Sequence, residues 1–492
     1  MNRIITLNGS NLTYTDLWNI ANKRVTVAID KEAIIKVKEG RKNLEKLIEK
    51  NMPIYGVNTG VGKLQDIVIN REQIKELQLN IVRSHSSGAG EPMSEELVRG
   101  MIAIRLNTLL KGYSGIRTEV VTLMVELLNK GVYPYVPVFG SVGASGDLAP
   151  LAAVAMVMIG EGYVIENEKK IETSKIIRKK NIFPIKLMEK EGLAIINATS
   201  LMTSYLGLSL RNYRSILKNA ENAASLSFEA LHGNIDAIDP LLHKLKPHKG
   251  ELEVAKSLRK NLSKSKNVIT ANSVQDPYSL RAVPQVIGAA YEPYYLGVKI
   301  FNTEANAFVD NPLIDDNRAI SGANFHGQHI AMALDFLALG NNYISGFSER
   351  RIEKLLSGAN INVNKFLAHE PGISSGFMIA QYTAAALHSY SKVLSHPASS
   401  DSIPTSLGQE DFVSMGPNSG NKLMMIINNT AYVIAIEFLS AYRSICMEGT
   451  YDLLSPYTKK LFNRIRTIMP VENTEDQPLT PYIELMKKEI LT

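Results

Sequence analysis

Residues 202–231 form a long stretch without proline, and this stretch constrains the fold more than any other part of the sequence. Proline breaks the interior of a helix because it lacks the backbone N–H and its ring clashes with the preceding turn. The stretch can therefore form one long helix, and comparable helical stretches lie at 330–339, 375–394 and 422–447. Long helices bury their apolar faces most readily against one another. The sequence predicts a mainly α-helical protein with a central bundle of long helices.

The N-terminal part of the chain carries shorter and more varied signals. Apolar residues at helical spacing predict a helix over 118–128, which Gly131 then ends. The wholly apolar run 148–159 predicts a deeply buried helix. Strand signals are few, with one strand at 3–7 and a hairpin around 163–171.

The length of the chain, 492 residues, corresponds to about two to four domains by length alone. We expect two parts, a smaller mixed N-terminal region over 1–200 and a central and C-terminal helical bundle over 201–492. Apolar residues make up 45% of the chain and charged residues 21%, which is typical of a soluble globular protein with a large core.

The cellular location is indicated by cysteine content and by the apolar runs. The single cysteine, Cys446, excludes an intrachain disulfide and fits a reducing compartment. The first residues do not have the pattern of a secretory signal. The longest apolar run, 148–159, contains Pro150 and is too short to cross a bilayer. We therefore expect a cytoplasmic protein with no membrane-spanning segment.

The net charge of +6 raises the question of a nucleic-acid partner. The densest basic run, 169–180, has acidic residues mixed in and no interleaved aromatic side chains, so we interpret it as solvated surface. His326 and His329 have the spacing of a metal pair, but no third ligand is evident. We expect neither a nucleic-acid partner nor a bound metal.

The loop over 140–150, Gly-Ser-Val-Gly-Ala-Ser-Gly-Asp-Leu-Ala-Pro, carries the most distinctive chemistry. In a tight bend the Gly146 nitrogen can attack the Ala144 carbonyl. Loss of two waters, one of them from Ser145, would then leave a five-membered methylidene-imidazolone ring. Gly146 has no Cβ to hinder the attack, and Gly143 lets the chain turn. Such a ring is an electrophile made from the backbone alone, whereas the ordinary alternative is a tight turn followed by a helix.

Several further blocks accompany this loop in register along nearly the whole chain. With them, the sequence resembles the aromatic amino acid ammonia-lyase family, whose members include histidine, tyrosine and phenylalanine lyases and related 2,3-aminomutases. The blocks that carry the resemblance lie at 55–60, 140–155, 197–199, 275–281, 324–327 and 409–411.

The resemblance implies a fold, a cofactor and an assembly. The fold is a mainly helical protomer whose central bundle assembles into a homotetramer, with each active site built from three chains. The cofactor is a methylidene-imidazolone formed from Ala144, Ser145 and Gly146, and no external cofactor is implied. A helix beginning near Asp147 would direct its positive end toward the ring and favour electron withdrawal.

The resemblance also implies the residues that act on the substrate. Tyr55 matches the catalytic base, and since an ordinary tyrosine has a pKa of about 10, it needs nearby positive charge to act near neutrality. Gly60 and Gly62 would let its loop move over the site. Tyr278 also matches a catalytic position and shares a helical face with Arg281. Arg281 is the natural clamp for the substrate carboxylate, because its planar fork can bind both oxygens.

Three further positions match family residues around the substrate. Asn197 and Gln275 match residues that hold the substrate amine or the imidazolone, and Phe325 matches an aromatic residue that packs close to the imidazolone. The substrate side chain is expected to meet His85 and Glu410. His85 could bind an imidazole or a phenol, whereas the carboxylate of Glu410 suits an imidazole N–H.

The sequence favours L-histidine as substrate, converted to trans-urocanate and ammonia, and leaves two alternatives open. Ser200 and Phe412 depart from the histidine branch, so a tyrosine or phenylalanine ammonia-lyase and an aromatic 2,3-aminomutase remain candidates. A non-catalytic scaffold with the same fold is disfavoured, because Ser145, Tyr55 and Arg281 are all present.

Overall fold

The computed structural model describes residues 3–268, 273–358, 361–470 and 476–491. The chain forms two compact units, each assembled from three segments. The first unit comprises Met1–Arg211, Gly297–Asp335 and Pro397–Asn421, and the second comprises Asn212–Leu296, Phe336–His396 and Lys422–Thr492. The division of the chain at residue 200 stays a prediction.

The mainly α-helical prediction is confirmed. The helices of the N-terminal segment are α1 (Tyr14–Ala21), α2 (Lys31–Glu49), α3 (Ile74–His85), α4 (Glu95–Leu109), α5 (Thr118–Asn129), α6 (Ala149–Met158), α7 (Thr173–Lys179) and α8 (Glu191–Ile196). The later helices are α9 (Ser200–Ala230), α10 (Pro240–Leu245), α11 (Lys249–Asn261), α12 (Tyr278–Arg281), α13 (Val283–Ala289), α14 (Tyr291–Glu304), α15 (Gln328–Ser357), α16 (Met378–Leu394), α17 (Gly416–Glu448), α18 (Pro456–Ile468) and α19 (Thr480–Leu491).

Four small two-stranded sheets lie among these helices in the described residues. Strands β1 (Arg3–Leu7) and β2 (Val25–Ile29) pair in parallel, and the other three pairs are antiparallel. Those pairs are β3 (Ala89–Pro92) with β4 (Pro137–Phe139), β5 (Tyr163–Glu166) with β6 (Lys169–Glu172), and β7 (Leu313–Asp315) with β8 (Arg318–Ile320). The predicted first strand and the predicted hairpin are confirmed, whereas the strands outside them were not predicted, because runs of three to five residues carry little periodicity.

Local capping explains where several helices begin. Asp30 accepts hydrogen bonds from the first turn of α2, and Ser94 accepts one from the backbone of Leu97 in α4. Ser455 does the same for α18, whose first residue is Pro456. Such side chains satisfy backbone N–H groups that have no partner within the helix.

The long helices are strongly buried. Apolar windows in 191–230 and 416–448 are long enough to cross a membrane by length and composition, and 100% and 78% of those windows are buried within the protein. Buried core helices of globular proteins have the same character, so these helices are explained by packing.

Candidate active site

A cavity of about 450 Å³ in the first unit gathers most of the predicted site residues. The predicted residues that line it are Tyr55, His85, Ser145, Asn197, Phe325 and Glu410. Leucine side chains complete one part of its wall, which gives a mixed lining of apolar surface and a few polar groups. Small-molecule sites commonly have this composition.

The loop over 140–148 is sharply bent. Gly143 and Gly146 have φ of +74° and +76°, and the non-glycine residues Ser145 and Leu148 have φ of +52° and +47°. Positive φ is uncommon for residues with a Cβ, so this backbone is held in a strained conformation by its surroundings. A Cβ on Gly146 would lie 2.2 Å from the carbonyl oxygen of Ala198, so only glycine fits there.

The surroundings of the loop match the requirements of ring formation within Ala144-Ser145-Gly146. Ala144 is buried against Val413 and Met415, where its small side chain fits. Ser145 is among the residues that line the cavity. The tight turn, the absence of a Cβ on Gly146 and the serine between Ala144 and Gly146 are together the features that such a condensation needs.

Asp147 connects the loop to the start of α9. Its backbone N–H donates to Ala198 O at 2.6 Å, and its Oδ2 accepts from the Leu201 N–H at 2.5 Å. Complete burial raises the pKa of Asp147 to about 8, against the lowering effect of its backbone hydrogen bonds and of Arg105. Helix α6 begins at Ala149, so the predicted helix start near Asp147 is confirmed to within two residues.

Tyr55 lies on the turn before the short 3-10 helix Gly62–Leu64. Its hydroxyl accepts a hydrogen bond from the Gly62 N–H at 2.9 Å. Burial raises the pKa of Tyr55, the Gly62 hydrogen bond lowers it, and the negative charge of Glu410 raises it further. The surroundings within this chain therefore favour the neutral phenol, although the phenolate is the form that a base requires.

His85 and Glu410 each present a hydrogen-bond acceptor. The His85 Nδ1–H donates to Ile81 O at 2.7 Å, and burial lowers the pKa of His85, so the neutral ring carries an unprotonated Nε2. Within the described part of the chain, the buried Oε2 of Glu410 has no hydrogen-bond partner. Two acceptors in one cavity suit a ligand that carries ring N–H groups.

Asn197 also has an unused polar atom. Its Nδ2 donates to Asn311 O at 3.3 Å, while its buried Oδ1 lacks a partner among the residues that the structure describes. A buried acceptor without a partner is costly unless a ligand supplies the donor. Phe325 lines the same cavity, and Asn311, which the sequence reasoning missed, lines it as well. The signal for Asn311 was weak, because an Asn-Pro pair usually marks only a turn.

The remaining predicted residues lie in the second unit. Gln275, Tyr278 and Arg281 line a separate cavity of about 490 Å³. The Arg281 guanidinium carbon lies 4.5 Å from the centre of the Tyr278 ring, which confirms that these two residues share one face of α12. The buried Nε of Arg281 has no partner within the described ranges.

No group of three or more His, Cys, Asp or Glu side chains that could hold a metal is found among the residues described by the structure. The Nε2 of His326 instead lies 3.1 Å from the carbonyl oxygen of Phe412, and the His326 ring stacks on the Phe412 ring. Local packing therefore explains the position of His326, one of the two histidines that have the spacing of a metal pair.

Comparisons with known proteins identify the family of this chain. Residues 12–467 match the model of the aromatic amino acid lyase family. A probable histidine ammonia-lyase of Thermoplasma volcanium is 42% identical over 99% of this chain and 98% of its own. The histidine ammonia-lyase of Treponema denticola is 43% identical over 90% of this chain and 89% of its own.

Solved structures give the same result. Tyrosine aminomutase from Streptomyces globisporus is 33% identical, with a TM-score of 0.94 over 99% of this chain and 96% of its own. Histidine ammonia-lyase from Trypanosoma cruzi is 37% identical, with a TM-score of 0.91 over 99% of this chain and 93% of its own. By sequence and by structure, the chain thus belongs to the aromatic amino acid lyase family.

Proposed function

We propose that this protein removes ammonia from L-histidine to give trans-urocanate. A base takes one proton from Cβ, and the electrons of that Cβ–H bond form the carbon–carbon double bond. The Cα–N bond breaks, and its electrons leave with ammonia. The observation that carries the proposal is the single cavity that holds Ser145, Tyr55 and two acceptors, His85 and Glu410. The names of several relatives that share 40–43% identity with this chain also support it.

The electrophile is proposed to be a methylidene-imidazolone formed from Ala144, Ser145 and Gly146, as in the family that this chain resembles. Once formed, this group supplies an electron-poor centre that makes ammonia a better leaving group. The side chains around it have the tasks of binding and orientation. Asn197, with its unpaired Oδ1, is suited to accept a hydrogen bond from the substrate amine.

Tyr55 is proposed as the base that takes the β-proton. Its hydroxyl already accepts one hydrogen bond, from Gly62, and this bond stabilises the phenolate. Burial and Glu410 oppose ionisation, so additional positive charge has to come from elsewhere. We propose that Arg281 supplies part of it, together with the clamp on the substrate carboxylate.

The assembly is proposed to be a homotetramer with shared active sites. The Tyr55 cavity and the Arg281 cavity belong to different units of the chain. We call the one-turn helix α12, Tyr278–Arg281, the Arg281 turn. In the proposed tetramer, the Arg281 turn of one copy completes the Tyr55 cavity of another. The substrate is a small amino acid, and a cytoplasmic location without nucleic-acid or membrane partners is part of the same proposal.

The preference for histidine rests on the two acceptors, His85 and Glu410. An imidazole or imidazolium ring carries N–H donors that can meet the Glu410 carboxylate, whereas a phenyl ring has none. Phenylalanine would leave the buried Glu410 Oε2 unpaired, and such a mismatch costs on the order of 1–3 kcal/mol or more for a charged group. A site built for a hydrogen bond therefore rejects the substrate that lacks it.

The proposal is tested with L-histidine, L-tyrosine and L-phenylalanine assayed in parallel by ultraviolet absorbance of their unsaturated products. We expect urocanate formation to dominate. Intact-mass measurement of the same sample should show a deficit of roughly 36 Da, the mass of two waters. An active sample without that deficit would refute the electrophile, and Ser145→Ala should have neither the deficit nor activity while keeping its fold.

A tyrosine-specific lyase or aminomutase is the second candidate. Its support is the similarity to tyrosine aminomutase and the neutral His85, whose Nε2 can accept a phenol hydroxyl. Chromatography of the products separates the cases, because an aminomutase returns the amine to Cβ and yields a β-amino acid. If coumarate or β-tyrosine is the main product, the substrate is L-tyrosine and the histidine proposal is wrong.

A further inference from the structure

A cluster of fully buried polar residues in the second unit contacts the Arg281 turn. We call it the Arg351 cluster, and its members are Arg351, Glu437, Ser227 and Ser348. Arg351 binds the Glu437 carboxylate through two parallel hydrogen bonds, Nε to Oε1 at 2.6 Å and Nη2 to Oε2 at 2.8 Å. Ser227 Oγ and Ser348 Oγ donate to the same carboxylate at 2.7 and 2.5 Å.

Both carboxylate oxygens of Glu437 accept hydrogen bonds within the cluster. Four hydrogen bonds meet one carboxylate, and the guanidinium is held in the paired geometry that only arginine provides. A buried ion pair of this kind contributes little net stability, because desolvation offsets the attraction. Its presence is better explained by the conformation that it fixes than by stability.

The free arm of Arg351 reaches the turn that carries the carboxylate clamp. Arg351 Nη1 donates to the carbonyl oxygen of Ser279 at 3.5 Å. Ser279 lies between Tyr278 and Arg281 in α12, a helix of one turn. A single turn has little stability of its own, so its orientation depends on tertiary contacts.

A second contact holds the same turn at its start. Asp276 Oδ2 accepts from the Asn234 N–H at 2.6 Å, and Asp276 Oδ1 accepts from Ser273 Oγ at 3.1 Å. The turn is thereby held on both sides of Tyr278, by Asp276 before it and by Ser279 after it. These contacts leave the Arg281 guanidinium beside the Tyr278 ring at the cavity surface.

We propose that Arg351 is a positioning residue that orients Arg281 for the substrate carboxylate, and that Glu437 holds Arg351 in place for this role. The inference rests on the proposed function, in which Arg281 binds that carboxylate. Arg351 itself is completely buried, so in this proposal it acts on the substrate only through Arg281. It should therefore affect ligands that carry a carboxylate and leave other ligands unaffected.

The test uses Arg351→Lys in the full-length enzyme. Lysine keeps the charge beside Glu437 but lacks the second arm that reaches Ser279. We expect KM for L-histidine and Ki for urocanate, which has a carboxylate, to rise about tenfold. kcat should stay within about twofold, and Ki for histamine, which has no carboxylate, should not change.

Arg99→Lys is the matched control. Arg99 is also buried and donates to the backbone carbonyls of Ile20, Ala21 and Leu128 in the first unit. The control should lose stability, measured by thermal unfolding, without a selective effect on urocanate. If Arg351→Lys behaves like the control, the inference is wrong.

Two further variants keep the outcomes separate. Ser348→Ala loosens Glu437 more gently and should give a smaller selective rise in the urocanate Ki, which tests the inference even if Arg351→Lys does not fold. Arg281→Gln tests the underlying clamp. If Arg281→Gln fails to weaken urocanate, the proposed function fails. If Arg281→Gln does weaken urocanate binding, the double variant with Arg351→Lys decides the inference. Residues that act through one another have non-additive effects, so a full additional effect of Arg351→Lys in the Arg281→Gln background would overturn positioning through Arg281.

Discussion

Glu410 has two opposite effects within the cavity. Its carboxylate offers an acceptor to an imidazole, yet its negative charge raises the pKa of Tyr55. A base must be deprotonated, so kcat/KM should rise with pH toward the Tyr55 pKa. Glu410→Gln removes the negative charge, and the rise should move to lower pH. A pH profile of kcat/KM that keeps its midpoint, or moves it upward, would contradict this assignment.

The same substitution separates the substrates. The Glu410→Gln enzyme would lack the charged acceptor that an imidazole N–H needs, so L-histidine turnover should fall by about tenfold or more. Any turnover of L-tyrosine should fall less, because a phenol can use His85. The measurement is kcat/KM for both amino acids in the wild-type and Glu410→Gln enzymes. An equal loss for both would remove the reason to assign histidine recognition to Glu410.

Gly146 is constrained by contact as well as by backbone conformation. Gly146→Ala would place a Cβ 2.2 Å from Ala198 O, so we expect loss of the mass deficit and of activity. Gly131→Ala is the control, since Gly131 has a comparable φ of +60° with nothing within 4 Å of its Cβ position. The control should be destabilised by only about 1 kcal/mol and remain active. Intact mass and activity of both variants decide the point.

Helices α6 and α9 are joined through Asp147, whose pKa is raised to about 8 from an ordinary value of 3.8. Between those values the folded chain holds a proton that the unfolded chain releases. The free energy of unfolding should therefore fall as pH rises from about 4 to about 8. Asp147→Asn cannot titrate, so its unfolding free energy should depend less on pH in this window.

Denaturant unfolding at pH 5 and pH 8 measures this dependence. Asp66→Asn, at an exposed position, is the control and should keep the wild-type slope. A slope for Asp147→Asn equal to that of the wild type would show that Asp147 is ionised in the folded protein.

The elements differ in how far the sequence predicted them. The stretch 202–231 predicted α9 to within two residues at its start and one at its end, because a long apolar pattern without proline admits few alternatives. The stretch 330–339 predicted only part of α15, whose later turns are more polar. The role of Asp147 could not be predicted, since its partner Leu201 is 54 positions away and no local pattern encodes such a contact.

The whole site shows the same limit. Tyr55, Ser145 and Glu410 are far apart in the sequence, and the family resemblance, rather than periodicity, selected them. The cavity that gathers them depends on tertiary packing of the first unit. The unpaired Oδ1 of Asn197 and the Arg351 cluster had no sequence signal, because both are defined by which atoms find partners after folding.

Shared active sites predict complementation between inactive copies. Tyr55→Phe and Arg281→Gln chains, refolded together, should form some sites with an intact Tyr55 from one copy and an intact Arg281 from another. Random assortment gives about a quarter of the wild-type activity. The control mixes Tyr55→Phe with Ser145→Ala, which line one cavity of one chain, and should give no rescue. Absence of activity in the first mixture would refute shared sites.

The separation of Tyr55 and Arg281 into two cavities has a consequence for damage and inheritance. In the proposed tetramer, a faulty copy does not only lose its own contribution, because its neighbours borrow surfaces from it. A population in which some chains are faulty in the Tyr55 cavity and others in the Arg281 cavity then performs better than the average of its members. Two alleles that are each inactive alone, one damaged in the Arg281 turn and one in the Tyr55 cavity, would therefore restore part of each other's function when expressed together.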